Sequence, residues 1–241
     1  MSKTILRICR SPQEAWDGVL HDWFRESAAT AWQRSRPSLI IVPTRSHAQG
    51  LKALLLQANQ SQLGLEFVTP AGLRAHFAAG SNLTLAPREH LRLLLALAAE
   101  FDSETQAAKA IIRAPNPLLR TLDRLEAAGW DFEALQLAVF QPIVRRFREY
   151  LHTANFTLGA ELDRTAFQLS RDSSPLFANI LITGFDGAHW PLMLLLQATT
   201  RAAEEATVVL SEPREEAHDL DAAWVGTWEE NYGEAQPLKA T

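Results

Sequence analysis

The sequence predicts an α/β protein: a parallel sheet covered by helices and interrupted by an all-helical segment. The runs SLIIVPTRSH from Ser38 and ANILITGFDGAHWPLMLLLQ from Ala178 hold consecutive aliphatic residues without alternation, which marks strands buried on both faces. Each run breaks into a polar loop and then a helical pattern, as strand-helix units do. Between residues 86 and 171 strand signals give way to helical periodicity.

A first strand is expected over residues 4–9, followed by a strong helix start at Ser11-Pro12-Gln13-Glu14. Ser11 suits the N-cap, Pro12 the first helical position, and Glu14 closes a capping box. That helix runs to about residue 32, with Trp16, Val19, Leu20, Trp23 and Phe24 as its buried stripe. Residues 39–42 form the second strand, and Ala48, Leu51, Leu54, Leu55 and Ala58 give the next helix an apolar face. Residues 65–68 read as a third strand, ended by Thr69-Pro70, which opens a helix through Phe77.

The helical segment starts with Pro87, Glu89 and the stripe Leu91, Leu94, Leu95 and Ala98. Asn116-Pro117 caps a helix with stripe Leu118, Leu122 and Leu125, stopped by Gly129 in the left-handed position. Pro142 opens another, with Val144, Phe147 and Leu151 on one side and Arg145, Arg148 and His152 on another. Leu158, Leu162, Ala166 and Leu169 continue the series. Strand returns at 180–183, helix at 191–203 and strand at 207–210. The expected division is an α/β core over 1–80 plus 175–212, a helical insertion over 81–174, and an acidic tail over 213–241 leading to a missing C-terminal region. In that tail Trp224 and Trp228 lie at helical spacing with no obvious partner inside the chain.

With 241 residues, 47% of them hydrophobic, and a mean hydropathy of -0.10, the chain can bury a substantial core. Its longest apolar stretch, residues 93–99, is far short of the about 18 residues a membrane span needs. The N-terminus MSKTILRICR lacks an apolar core with a cleavage site, so a cytoplasmic protein without membrane attachment is expected. Cys9, the single cysteine, excludes an internal disulfide and reads as a buried thiol. A net charge of -5 argues against gripping nucleic acid by bulk electrostatics alone.

In parallel sheets ligands bind at the carboxyl ends of the strands, here Pro43-Thr44-Arg45-Ser46 and Thr183-Gly184-Phe185-Asp186-Gly187. A phosphate-binding loop needs GxxxxGKS/T after the first strand, because glycine amides must approach the phosphates and a lysine must neutralise them. Here that turn is Cys9-Arg10-Ser11-Pro12, and Glu14 puts negative charge where phosphates would sit. The strand at residues 180–183 ends in Thr183 and Gly184 instead of magnesium-binding carboxylates. Asp186 suits turn formation beside Gly187 and helix capping. Arg10, Ser11, Thr183, Gly184 and Asp186 therefore outline a degenerate nucleotide site. His47, Asp186 and His189 also lie at strand ends, but their spacing matches no metal motif. No catalytic residue, metal or cofactor is expected in this segment.

The order of capped first helix, LIIVPTRSHAQGLKALLL, VTPAGLRAHF, helical segment, ILITGFDGAHWPLMLLLQ and VVLSEP resembles the first core domain of a superfamily 1 helicase. Within that superfamily it is most similar to the AddB/RexB family of helicase-nuclease subunits. The resemblance covers nearly the whole chain and implies a P-loop NTPase-like (RecA-like) core that has lost ATPase chemistry. It also implies a nuclease of the PD-(D/E)XK type further along the polypeptide, with an iron-sulfur cluster in some members. Neither is encoded in these residues, which are expected to be the N-terminal part of a longer DNA repair and recombination exonuclease subunit.

The resemblance places Thr44, Arg45 and Ser46 where related helicases touch the DNA backbone, and hydroxyls with a guanidinium suit phosphate. Ser46 equally suits a helix cap. Thr69 falls in a second contact motif, where Thr-Pro is also ordinary turn chemistry. Arg145, Arg146 and Arg148 form either a DNA-facing patch or a solvated helix face. The implied partners are single-stranded DNA and a helicase subunit or the C-terminal nuclease region. Two alternatives remain: a protein-docking module without DNA contact, and a small-molecule α/β enzyme using Asp186 and His189.

Overall fold

All residues of the strands β2 (Ser38–Ile41) and β6 (Phe177–Ile182) are buried, which explains why neither run alternates apolar with polar. The computed structural model describes residues 3–79, 81–130, 138–171 and 173–238. The other strands are β1 (Lys3–Cys9), β3 (Leu65–Val68), β4 (Thr84–Leu85), β5 (Phe156–Thr157), β7 (Ala203–Ser211) and β8 (Gln236–Pro237). Six of them form one sheet in the order β3-β2-β6-β7-β1-β8, and each pairing is parallel. Register sets Ile40 beside Leu181 and Ile182 beside Val208, so aliphatic residues line up across the central strands. The buried Asn179 of β6 is satisfied by donating to Ser27 Oγ at 3.0 Å.

The helices are α1 (Pro12–Ala15), α2 (His21–Thr30), α3 (Arg45–Gln57), α4 (Pro70–Ala79), α5 (Arg88–Glu100), α6 (Gln106–Arg113), α7 (Asn116–Ala127), α8 (Gln141–Thr153), α9 (Gly159–Leu169), α10 (Met193–Arg201) and α11 (His218–Tyr232). The chain divides into two compact units, Met1–Leu73 with Phe167–Thr241, and Arg74–Ala166. In the first, Trp16, Leu20, Phe24, Leu55, Ile40, Leu181 and Val209 form one cluster between the sheet and the helices α1 to α3. In the second, Leu95, Ala98, Ile111, Leu122, Val144, Phe147 and Leu151 form the core, as their three- and four-residue spacing requires. The bidentate pair of Arg74 with Asp163, at 2.8 and 2.7 Å, is buried in this unit.

Several expectations are corrected. The first helix is not uniform: residues Trp16–Leu20 form a π turn between α1 and α2. Thr44, not Ser46, caps α3, its hydroxyl accepting from His47 N at 3.3 Å. Asn116 opens α7 rather than capping it, and its buried Oδ1 has no partner among the described residues. Gly129 does end that helix at φ +77. The segment expected to be purely helical carries the two-residue parallel pair β4 and β5, too short for any periodicity to reveal.

The acidic tail is likewise no open extension. It folds as α11, with Trp224 2% and Trp228 0% exposed, and then as β8, which joins the sheet beside β1. Trp224 packs edge to face against Trp190 and against Trp228. Among the described residues no helix is long and apolar enough to cross a membrane.

Candidate functional site

At the carboxyl end of β1 the backbone turns through Arg10 into α1. Ser11 Oγ accepts from Glu14 N at 3.1 Å, as an N-cap should. The Glu14 carboxylate reaches one residue further back than a capping box requires and accepts from Arg10 N at 2.6 Å. Arg10 also faces Glu14 and Glu212 at 3.9 and 3.8 Å. The Arg10 amide is therefore occupied by a carboxylate, and the Arg10 guanidinium stands near acidic oxygens of Glu14 and Glu212.

The carboxyl ends of β2 and β6 meet farther along the same end of the sheet, with β7 between them and β1. Thr183 N donates to Ile41 O at 3.1 Å, and Gly184 follows at φ +80. A Cβ on Gly184 would stand 3.3 Å from both His47 Cδ2 and Pro43 Cδ, so a side chain here would wedge the two loops apart. Thr44 Oγ1 lies 2.8 Å from His47 Nδ1 and caps α3, which commits its hydroxyl to the helix start. Arg45 and Ser46 in the first turn of α3 are exposed, whereas Thr69 at the end of β3 is half-buried.

Asp186 acts as the N-cap of the 3-10 turn Gly187–Leu192, accepting from Ala188 N at 3.0 Å and paired with His189 at 2.8 Å. It also bridges to Arg214 at 3.0 Å, which in turn grips Asp221. The hydrogen bond from Arg214 outweighs burial and lowers the Asp221 carboxyl to about 2, helped by the backbone N–H groups of Arg214 and Gly187. Asp186 and His189 thus serve a latch between the loop after β6 and the start of α11.

A cavity of about 490 Å³ opens at the ends of β1, β2, β6 and β7. Ala15, Trp16, Leu20, Val42, Leu51, Leu54 and Val209 make its wall apolar, and Ser11, Ser46, His47, Thr183 and Ser211 add polar groups. Cys9 lines it as well, its thiol pushed up to about 11 by burial first and by the Glu14 charge second. Of the residues read as a degenerate nucleotide site, Ser11, Thr183 and Gly184 lie on this cavity, while Arg10 and Asp186 are tied up in ion pairs beyond its lining.

The arginines of α8 have separate environments in the other unit. Arg148 pairs with the buried Glu126 at 3.2 Å, and Arg146 pairs with Asp102 at 3.1 Å while lying over the Phe101 ring. Arg145 is exposed. A second cavity, of about 540 Å³, is lined by Glu126, Arg148, His152, Glu161, Arg164 and Trp130 among others. Burial raises Glu126 from its ordinary value against the pull of Arg148. Of the three arginines read as a patch on α8, Arg146 and Arg148 are held in ion pairs, and Arg145 faces solvent.

Periodicity assigned Trp16, Leu20, Leu51 and Leu54 to the core and could not reveal that they also wall a cavity. Three- and four-residue spacing reports an apolar face and is silent about what fills the space in front of it. Among the described residues no three His, Cys, Asp or Glu side chains gather to hold a metal ion. No protein-family model matches the chain, and no curated protein matches it in sequence.

Proposed function

We propose that this chain is a helicase-like domain that does not hydrolyse ATP and acts as a DNA-binding or scaffolding module. In this reading the sheet unit is a P-loop NTPase-like (RecA-like) core, and residues 81–174 are a helical insertion. The parent protein would be a DNA repair and recombination nuclease subunit similar to the AddB/RexB family. The observation that carries the loss of ATP chemistry is the Glu14 carboxylate bonded at 2.6 Å to Arg10 N, where a triphosphate would need a free amide. The exposed Arg45 and Ser46 at the start of α3 support contact with a DNA backbone, since guanidinium, hydroxyl and helix-terminal amides all suit phosphate.

Binding of a labelled single-stranded oligonucleotide at low and moderate salt tests the DNA contact. Wild type should bind with clear salt dependence, and Arg45→Glu should weaken binding and lower the salt slope by about 1 or more. Binding that Arg45→Glu leaves unchanged would move the contact elsewhere and favour a docking role. That second reading has one observation behind it: Trp32 and Leu63 are each 78% exposed, beside the contact where a Cβ on Gly64 would collide with Ala31.

A further inference from the structure

We infer that the cavity at the ends of β1, β2, β6 and β7 is a binding site for a small, uncharged and mainly apolar molecule carrying an aromatic ring and one polar edge. This inference does not depend on the DNA reading. The location is the one where open parallel sheets hold ligands, and about 490 Å³ lies within the range of small-molecule pockets.

Chemistry selects the ligand class. The wall is Ala15, Trp16, Leu20, Val42, Leu51 and Leu54, and no Lys, Arg, Asp or Glu is among its described lining residues. A phosphate or carboxylate entering here would lose its water without gaining a Lys or Arg partner from the described lining. An aromatic ring instead finds the Trp16 indole and aliphatic side chains. Its polar edge can meet the hydroxyls of Ser46 and Thr183 or the imidazole of His47, whose Nδ1 already faces Thr44.

A second feature points to the same wall. Trp16–Leu20 is the π turn, with His21 N bonded to Trp16 O, and Trp16 and Leu20 at its ends both line the cavity. Such π turns inside helices are frequent at functional sites. Across the mouth, Gly184 at φ +80 lets the loops after β2 and β6 close on each other, shaping the rim.

The test uses the full chain and the neutral fluorophore N-phenyl-1-naphthylamine. Gly50 of α3 lines the cavity, and a Cβ there meets nothing within 4 Å, so Gly50→Phe adds an aromatic bulk at the cavity edge without a backbone clash. Gly226→Phe, on α11 with equally open space and off the lining, is the matched control. Saturable binding to wild type and Gly226→Phe, weakened roughly tenfold or more by Gly50→Phe with circular dichroism unchanged, is the expected result. Millimolar magnesium-ATP should not displace the fluorophore. Absence of saturable binding, equal binding by all three proteins, or displacement by ATP would overturn the inference.

Discussion

Gly184 holds the two strand-end loops together through a backbone conformation that other residues reach only with strain. Gly184→Ala should cost about 1–2 kcal/mol, read as a lower midpoint in chemical denaturation. Asp221 gives a pH signature. Its carboxyl is about 2 in the folded chain against the ordinary 3.8, so its stabilisation is complete above the ordinary value and is lost as pH falls through about 2. Asp221→Asn should therefore flatten the acid limb of a stability-pH curve, and an unchanged limb would mean that Arg214 does not hold it. Cys9 offers a third check, because a thiol raised to about 11 and 3% exposed should resist iodoacetamide at neutral pH until the chain unfolds. Rapid labelling of the native protein, seen by mass spectrometry, would contradict its burial.

At the scale of elements, α11 shows how burial differs from what composition suggests. Its acidic residues and helically spaced tryptophans read as a tail seeking a partner, yet Trp224 and Trp228 are buried within the sheet unit. Trp228→Ala should cost about 3–5 kcal/mol by opening a cavity under that helix. A loss below 1 kcal/mol in urea denaturation would show α11 to be dispensable. In the other unit, Arg74→Met strands the Asp163 carboxylate, which is 3% exposed, and should destabilise by about 3–5 kcal/mol. Adding Asp163→Leu should restore much of that loss, since the buried charge goes with its partner. The strands β2 and β6 were legible because consecutive aliphatic residues have few other homes, whereas the two-residue strands β4, β5 and β8 were not. The helix starts at Ser11 and Asp186 were legible from short-range capping chemistry. The pairing of Arg148 with Glu126 was not, because helix spacing gives the face of α8 and not the residue 22 positions earlier that meets it.

For the whole molecule, an α/β chain with a parallel sheet was readable from two aliphatic runs, whereas the sixth strand β8 and the strand order needed the structure. Residue types at the strand ends showed what a phosphate site would lack. They could not show the apolar cavity standing there, because cavity walls and solid core share one sequence pattern. At the β1 turn the Glu14 carboxylate occupies the Arg10 amide, and the proposed absence of ATP binding rests on that contact. Isothermal titration of magnesium-ATP into the full chain tests this most directly. The account expects no saturable heat up to millimolar nucleotide, and magnesium-dependent saturable binding that an Arg10 or Ser11 substitution abolishes would contradict it.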